Sequence, residues 1–440
     1  MGYGRKRAVL LIRNGYLVDP EGGHTGLGQL LIAKDRVVAV LGPNEPVNTA
    51  MLKQTLDAEG CLVTPAFLDL HAHLREPGFE HKEDVASGLK SAVAGGFGYV
   101  CAMPNTYPVN DNPIVTDYLL QKAKALGLSE LLPVGATTLS QNGERLTDFH
   151  ALLKAGCVGF SDDGRSIDDP LVFQDALIYT GQLDTVLFEH AESKRLGGYR
   201  GIHAGIVAAS LGLEGSSALS ETAVVARDVE ILRHAKGRLH LTHISAKGSF
   251  SYVRTAKEEG LGLSVDVTPH HLLLTEEALA GFNTTPKVNP PLRTEENRLA
   301  LLHALKEGLI DAIVTDHAPH TQREKDTYFE DAPPGVIGFE SAFPALYGLV
   351  EKGELGLEKL VSLLTVGPAG VFGIKGIGLK QGSLPNLGVW RVFKEPFPLP
   401  PPRYSKGKNC PFVGIETKVK LQAFIADGRV VYEYERGFGA

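Results

Sequence analysis

Apolar residues along this chain follow two alternating patterns, short runs of strand length and longer stretches with helical spacing. From about residue 64 onward, eight apolar runs end near His71, Met103, Ala136, Phe160, His190, His243, Val267 and Asp316. Between these runs, apolar residues recur every three to four positions, as at Val85, Leu89 and Val93. Strands that alternate with helices in this way predict an α/β fold with a parallel sheet.

The helical segments complete this pattern. They are predicted over residues 83–94, 113–126, 146–155, 170–181, 221–235, 249–259 and 295–307, with a last helix over 356–374. Eight strands separated by helices predict a (β/α)8 barrel of the TIM type. An open doubly wound sheet would carry a glycine-rich phosphate loop after its first strand, and the segment HAHLREPG is not one.

Both ends of the chain are rich in short strands and turns instead of helices. The C-terminal segment VKLQAFIADGRVVYEY predicts a hairpin with an Asp-Gly turn. We expect the two ends to pair into one small β-sandwich domain beside the barrel. The predicted boundaries are residues 1–64 and 376–440 for this β domain, and 65–375 for the barrel.

Charge and composition exclude several classes of function. The formal net charge of −7 and the absence of a basic stripe argue against binding to nucleic acid or to an anionic membrane. No apolar run reaches the roughly 20 residues that span a bilayer. The four cysteines form no CxxC pair, and the first residues do not read as a signal segment, so we expect reduced thiols in a cytoplasmic protein.

The ends of the predicted strands carry the candidate chemistry. In FLDLHAHL, alternation of side chains places Asp69, His71 and His73 on one face. An isolated HxH pair is more often hydrogen-bonded than metal-bound. Other strand ends, however, add further ligand types to the same barrel mouth, namely Asp162 and Asp163, His190, His243 and Asp316.

Four imidazoles and two carboxylates at one barrel mouth predict a site for Zn²⁺ or a similar ion, with one or two ions bound. Such an ion lowers the pKa of bound water to about 7 and so supplies hydroxide at neutral pH. Hydrolysis of an amide bond, or its reverse, is the chemistry that follows. Asp316 is the best candidate for proton transfer, and its competing role is that of a plain metal ligand.

An ordered set of motifs over residues 60–345 resembles the dihydroorotase family of the amidohydrolase superfamily, in its bacterial class I type. The motifs are DLHAHLREPG, CAMPNTYPV, FSDDG, FEHAES, LTHISAKGS, VTPHHLLLT, KVNPPLR, TDHAPH and GVIGFESAFP. The resemblance implies reversible cyclisation of N-carbamoyl-L-aspartate to L-dihydroorotate in pyrimidine synthesis. It also implies a homodimer, or assembly with aspartate transcarbamoylase.

The resemblance also implies roles for individual residues. The implied metal set is His71, His73, Asp163, His190, His243 and Asp316, with Asp163 preferred to Asp162 as the match. Implied substrate contacts are Arg75, Asn105, Asn289 and His320, together with a loop at Pro334 and Gly335. An arginine can bind a substrate carboxylate with both arms of its planar fork. For Asn289, which precedes two prolines, a role in a turn is the rival interpretation.

The chain departs from many relatives at the end of the fourth barrel strand. Those relatives bridge two metals with a carbamylated lysine, whereas VGFSDDGR contains Asp163 and no lysine. We therefore predict no carbamylated lysine. Two other interpretations remain, a related cyclic-amide hydrolase (hydantoinase, dihydropyrimidinase or allantoinase) and an inactive scaffold for aspartate transcarbamoylase.

Overall fold

The computed structural model describes residues 10–48 and 52–439 and contains two sheets. The strands are β1 (Leu10–Asp19), β2 (His24–Ile32), β3 (Val37–Leu41), β4 (Gln54–Asp57), β5 (Cys61–Pro65), β6 (Phe67–Ala72), β7 (Phe97–Ala102), β8 (Glu130–Ala136), β9 (Gly159–Ser161), β10 (Val186–Glu189), β11 (Leu239–Leu241), β12 (Leu263–Val267), β13 (Ala312–Ile313), β14 (Leu387–Pro398), β15 (Glu416–Ala426), β16 (Arg429–Glu433) and β17 (Gly437–Phe438). Residues 1–9, 49–51 and 440 lie outside the described residues, and with them the prediction that the first residues form no signal segment.

Strands β6 to β13 form the predicted barrel, each pairing in parallel with the next. The barrel closes where Ala72 bridges His317, with the His73 amide donating to the His317 carbonyl at 2.8 Å. Asp69 fastens the same seam, because its carboxylate accepts from the amide of Thr315 at 3.0 Å. Strands such as Phe67–Ala72 are buried throughout, as expected when helices cover a parallel sheet.

Helices surround the barrel and connect its strands. They are α1 (Val85–Ala94), α2 (Pro113–Leu126), α3 (Phe149–Ala155), α4 (Pro170–Gln182), α5 (Ile206–Leu211), α6 (Leu219–Ala235), α7 (Ser249–Glu258), α8 (Pro269–Leu273), α9 (Glu295–Lys306), α10 (Gln322–Lys325), α11 (Ala342–Glu351), α12 (Leu357–Leu364) and α13 (Val366–Phe372). Helix α2 has the predicted bounds because its ends are encoded locally. Asn112 caps its first turn, Pro113 occupies the first helical position, and Gly127 ends it in the left-handed region.

The single helix predicted over residues 356–374 is wrong in one respect. The structure breaks it into α12 and α13 at Thr365, whose φ of −130° and ψ of −85° are not helical. Helices α5, α8, α10 and α11 were not among the sequence predictions. Three of these four are six residues or shorter, too short for a periodic pattern to emerge.

The remaining nine strands, from both ends of the chain, form the predicted β domain as one continuous mixed sheet. β14 joins the two ends by pairing antiparallel with β5, and the predicted hairpin lies between β15 and β16 around Asp427 and Gly428. Trp390 of β14 packs against Phe67 and Phe343 of the barrel, with ring centroids 5.4 and 4.4 Å away. The exact domain boundaries stay predictions.

The segment between β14 and β15, residues 399–415, returns to the barrel mouth, and we call it the connector. Ser405 hydrogen-bonds to Glu83, and the amide of His320 donates to Asn409 at 3.2 Å. The C-terminal part of the chain therefore contributes to the surroundings of the strand ends. Within the described residues, no helix is long and apolar enough to cross a membrane.

Candidate metal centre

The six ligand candidates predicted from the strand ends lie together at the C-terminal mouth of the barrel. Asp163 is central: its Oδ1 is 3.2 Å from Nε2 of His71, 3.6 Å from Nδ1 of His190 and 3.7 Å from Nε2 of His243. Two groups of three ligand atoms are each mutually close enough to hold one ion. They are His71, Asp163 and His243, and His71, His73 and Asp316.

Asp163 and Asp162 have different surroundings, although they are neighbours in the chain. Asp163 faces the histidines, whereas Asp162 accepts from the amide of Thr138 at 2.9 Å and from the hydroxyl of the same residue. The structure thus brings Asp163 into the cluster and occupies Asp162 with a neighbouring loop. This arrangement agrees with the preference that came from the motif.

The two histidines of the HxH pair are oriented by partners on the far side of each ring. Nδ1 of His73 lies 2.9 Å from Oδ1 of Asn105, an acceptor, so Nδ1 carries the proton. Nδ1 of His71 lies 2.8 Å from the Thr242 hydroxyl, which itself lies 3.2 Å from Asp266. Because that hydroxyl donates to the Asp266 carboxylate, it accepts from His71. In its neutral form, each ring therefore presents the lone pair of Nε2 to the centre.

The electrostatics of the cluster favour a positive charge at its centre. Burial disfavours the imidazolium form of His71, yet the carboxylate of Asp163 outweighs burial and raises the pKa of His71 to about 9. The pKa of His190 is raised to about 10 for the same reason. Burial would raise the pKa of Asp163, but His71, His190 and His243 hold it well below its usual range. A divalent cation bound in this field would replace the protons that the histidines otherwise take up.

The donor set fits a metal ion on the chemistry of its atoms. Nε2 of His71 and Oδ1 of Asp163 are buried and have no hydrogen-bond partner among residues 10–48 and 52–439. Opposed lone pairs 3.2 Å apart repel each other unless a cation or a proton lies between them. Imidazole nitrogens with carboxylate oxygens are the ligands that Zn²⁺ and similar ions prefer.

Three residues at the mouth adopt the left-handed backbone region that side chains rarely tolerate. They are Arg75 with φ 62°, His243 with φ 40° and Asp316 with φ 45°. Each such conformation costs on the order of 1–3 kcal/mol, and it persists where the surrounding structure enforces it. Their position at three strand ends indicates that the fold holds these side chains in place at a cost in stability.

A cavity of about 190 Å³ opens directly onto the cluster, and we call it the catalytic cavity. It is lined by His73, Arg75, Asn105, Asp163, Gly164, His190, Tyr199, His243, Asn289, Asp316, Ala318, Pro334 and Gly335. Five of the six predicted substrate contacts are in this lining. His320 is the exception, and it lies behind Arg75 and Pro334.

His320 contacts two residues that line the cavity, Pro334 and Arg75. Its Nε2 lies 2.9 Å from the carbonyl of Pro334 and 3.4 Å from Nη2 of Arg75. A single ring nitrogen can donate to the carbonyl or accept from the guanidinium, but it cannot do both. Burial, together with the Arg75 charge, lowers the pKa of His320 to about 2, so the ring is neutral. The resemblance predicts a substrate contact here. In the structure, His320 contacts two residues that line the cavity but is not itself part of the lining, so the substrate contact stays a prediction.

The loop that carries Pro334 and Gly335 is fixed by residues that sequence reasoning missed. Nζ of the buried Lys325 donates to the carbonyls of Pro333 at 3.0 Å and Gly335 at 3.1 Å. Asn409 of the connector donates to the carbonyls of Gly335 at 2.9 Å and Ala318 at 3.1 Å. Asn409 is 89 residues from His320 in the chain, so no local pattern could have revealed this contact.

Comparisons with family profiles and with curated relatives point to the same family. A family profile described as "Dihydro-orotase-like" matches residues 60–249, and one described as "Amidohydrolase family" matches residues 222–431. Among curated relatives, the "Dihydroorotase" of Anaeromyxobacter dehalogenans strain 2CP-1 is 41% identical over 430 residues, 97% of this chain and 99% of that protein. The "Dihydroorotase" of Aquifex aeolicus is 38% identical over 424 residues, 96% of this chain and 99% of that protein.

Solved structures support the fold. An L-hydantoinase (dihydropyrimidinase) from Arthrobacter aurescens superposes with a TM-score of 0.84 at 22% identity, covering 98% of both chains. A dihydropyrimidinase from Brevibacillus agri NCHU1002 superposes with a TM-score of 0.78 at 19% identity, covering 97% of this chain and 95% of the other. At this level of identity, the likeness concerns the architecture alone.

Proposed function

This chain belongs to the dihydroorotase family of metal-dependent cyclic amidohydrolases, and we propose that its six clustered histidines and aspartates form the centre at which the ring amide is hydrolysed or closed. The family's reaction interconverts N-carbamoyl-L-aspartate and L-dihydroorotate. The observation that carries the proposal is the convergence of two imidazole–carboxylate groups on one buried centre beside a cavity. The relatives at about 40% identity favour this substrate over that of the hydantoinases, whose likeness is limited to fold.

The proposed metal ligands are His71, His73, Asp163, His190, His243 and Asp316. A zinc ion bound there would act as a Lewis acid towards the ring carbonyl and would make a water molecule acidic. We further propose one or two zinc ions and no carbamylated lysine. The homodimer, the assembly with aspartate transcarbamoylase and the cytoplasmic location also stay predictions.

Asp316 is proposed as the residue that moves the proton. In ring opening, a C–O bond forms to water, the ring C–N bond breaks, and one proton passes from the water to the leaving nitrogen. Asp316 lines the catalytic cavity, and its Oδ1 lies 3.2 Å from Nε2 of His73. Contact with His73 and His71 outweighs burial and lowers the pKa of Asp316, so the carboxylate is ionised and ready to accept.

Arg75 and Asn105 are proposed to bind the substrate's carboxylate and ring. Arg75 uses Nε for the carbonyl of Pro319 at 3.2 Å, which fixes the guanidinium plane at the cavity wall. The remaining N–H groups can meet a carboxylate as a fork. Asn105 uses Oδ1 for His73, which leaves its amide N–H groups for the ring. Asn289, with a buried Oδ1 that lacks a partner among the described residues, offers an acceptor.

Replacement of Asp316 tests the proposal. We expect Asp316→Asn to lower kcat for dihydroorotate by at least about 100-fold, the usual contribution of a general acid–base group, while part of the zinc remains bound. Dihydroorotate consumption followed in the ultraviolet and zinc content by mass spectrometry are the measurements. An unchanged kcat would contradict the proton-transfer role. Turnover of hydantoin but not of dihydroorotate by the zinc-loaded wild type would contradict the proposed substrate assignment.

A further inference from the structure

His190 meets the centre in a different way from the other histidines. It faces Asp163 through Nδ1 at 3.6 Å, whereas His71 and His243 face the same carboxylate through Nε2. An imidazole that binds a metal through one nitrogen carries its proton on the other. His190 therefore needs an acceptor at Nε2, on the side of the ring away from Asp163.

Glu192 is the only carboxylate in contact with that nitrogen in the described part of the chain. Its Oε2 lies 3.6 Å from Nε2 of His190, and its side chain is 1% exposed. Both Glu192 oxygens and Nε2 of His190 are buried and lack a hydrogen-bond partner among the described residues. The contact is longer than the usual N–H···O distance of about 2.9 Å. Closing that gap satisfies the nitrogen and one carboxylate oxygen, which would otherwise be costly to bury.

The loop after Glu192 restricts the His190 ring in two ways: Tyr199 stacks on the face of the ring, and Gly198 packs against the side chain of Glu192. Tyr199 stacks on His190 with ring centroids 5.4 Å apart and an interplanar angle of 13°. The Tyr199 hydroxyl accepts from the amide of Ser166 at 3.1 Å, and its backbone φ is 66°. A Cβ atom on Gly198 would lie 2.6 Å from Cγ of Glu192, so the loop backbone packs directly against that side chain. The loop therefore leaves the Glu192 side chain little room to move away from the imidazole.

We propose that Glu192 is a positioning residue that accepts the Nε2 proton of His190 and so makes Nδ1 the metal-binding nitrogen. Tyr199 fixes the plane of the ring in this arrangement. The inference rests on the proposed function, because it takes His190 to be a metal ligand. Acceptors behind metal-binding histidines fix the tautomer and raise the basicity of the ligand, and their loss typically weakens metal binding 10- to 100-fold.

The test measures zinc affinity of the purified full-length protein by competition with a chelator. We expect Glu192→Leu to weaken zinc binding roughly 10- to 100-fold, and Glu192→Gln to weaken it less, because the amide oxygen still accepts a proton. Glu276→Gln is the matched control, since Glu276 is 3% exposed and also has an oxygen without a partner among the described residues. The control should bind zinc within about twofold of the wild type.

A second readout reports the tautomer directly in the wild-type protein. In zinc-loaded wild type with ¹⁵N-labelled histidine, the His190 signals should report a proton on Nε2, with His190→Asn used for assignment. A proton on Nδ1, or a Glu192→Leu protein that binds zinc within twofold of wild type, would overturn the inference. Unchanged zinc affinity in His190→Asn would instead overturn the proposed metal set, so the two failures are distinguishable.

Discussion

Two side chains at the barrel mouth, those of Asn105 and Arg75, have more than one polar group available for contacts. Asn105 orients His73 with its oxygen and offers its amide hydrogens to the catalytic cavity. Arg75 donates from Nε to the carbonyl of Pro319, and in the proposed function its other N–H groups bind a substrate carboxylate. Each residue is thus held by the protein through one group, and under the proposed function this would reduce the entropy lost when the other group binds substrate.

Arg75 provides a direct test at this scale. We expect Arg75→Ala to raise KM for dihydroorotate roughly 10- to 100-fold, since a charge-assisted contact contributes about 1.5–3 kcal/mol. Steady-state kinetics with zinc-loaded protein measure the change. Arg165→Ala is the control, because Arg165 is exposed and donates to the carbonyl of Gln141. An unchanged KM in Arg75→Ala would mean that the arginine has only a structural role.

Whole elements determine where these side chains meet. The eight strands could be read from the sequence because buried parallel strands appear in it as continuous apolar runs. Helix α2 was predicted to the residue because its cap, its proline and its terminal glycine are local signals. The short helices α5, α8 and α10 were not predictable, because four to six residues are too few for a helical period to emerge.

The connector is the element whose role the sequence does not reveal. Asn409→Ala removes an acceptor for the amide of His320 and a donor to the carbonyls of Gly335 and Ala318. Leaving such buried groups unpaired costs on the order of 1–3 kcal/mol, so we expect that loss in the free energy of unfolding. We also expect a higher KM, because the loop at Gly335 lines the catalytic cavity. Chemical denaturation and steady-state kinetics measure the two effects.

A matched asparagine provides the control for this prediction. Asn283 is exposed, and its side chain donates to the carbonyl of Ala278 and accepts from the amide of Thr285, both nearby in the chain. Asn283→Ala should change the free energy of unfolding by less than about 0.5 kcal/mol, as surface substitutions usually do. Equal losses in the two variants would argue that the connector does not support the site.

At the scale of the whole molecule, stability should depend on pH through His203. Burial and the adjacent Arg293 lower the pKa of His203 to about 4, and Nδ1 lies 3.3 Å from Nη1 of Arg293. The unfolded chain takes up this proton near pH 6.5 and the folded chain only near pH 4. Stability is therefore lost as the pH falls through this window.

The expected loss is about 1 kcal/mol, after allowance for the solvent that reaches this half-buried side chain. His203→Gln keeps an acceptor for Arg293 but cannot take up the proton. Denaturation of the wild type and this variant at pH 7.5 and pH 4.5 measures the difference, in which all other titrating groups cancel. A difference that does not change with pH would show that His203 titrates normally in the folded protein.

The whole architecture also explains which parts of the site were predictable. The six ligand candidates lie at the C-terminal ends of strands, and a barrel brings these ends together at one mouth regardless of the paths of the loops. Thr242, Glu192, Tyr199 and Asn409 were missed because their contacts depend on loop paths and on the return of the connector. His320 lies outside the cavity lining, and motif order carries no information about which side of a loop faces the cavity.

Metal content and turnover of two adjacent aspartate variants test the central claim most directly. Asp163→Asn and Asp162→Asn change neighbouring buried carboxylates, of which only Asp163 faces the histidines in this structure. We expect Asp163→Asn to lose zinc and to turn over dihydroorotate at least about 100-fold more slowly. Asp162→Asn should retain zinc at the wild-type stoichiometry. Full zinc content and unchanged turnover in Asp163→Asn would contradict the assignment of this centre.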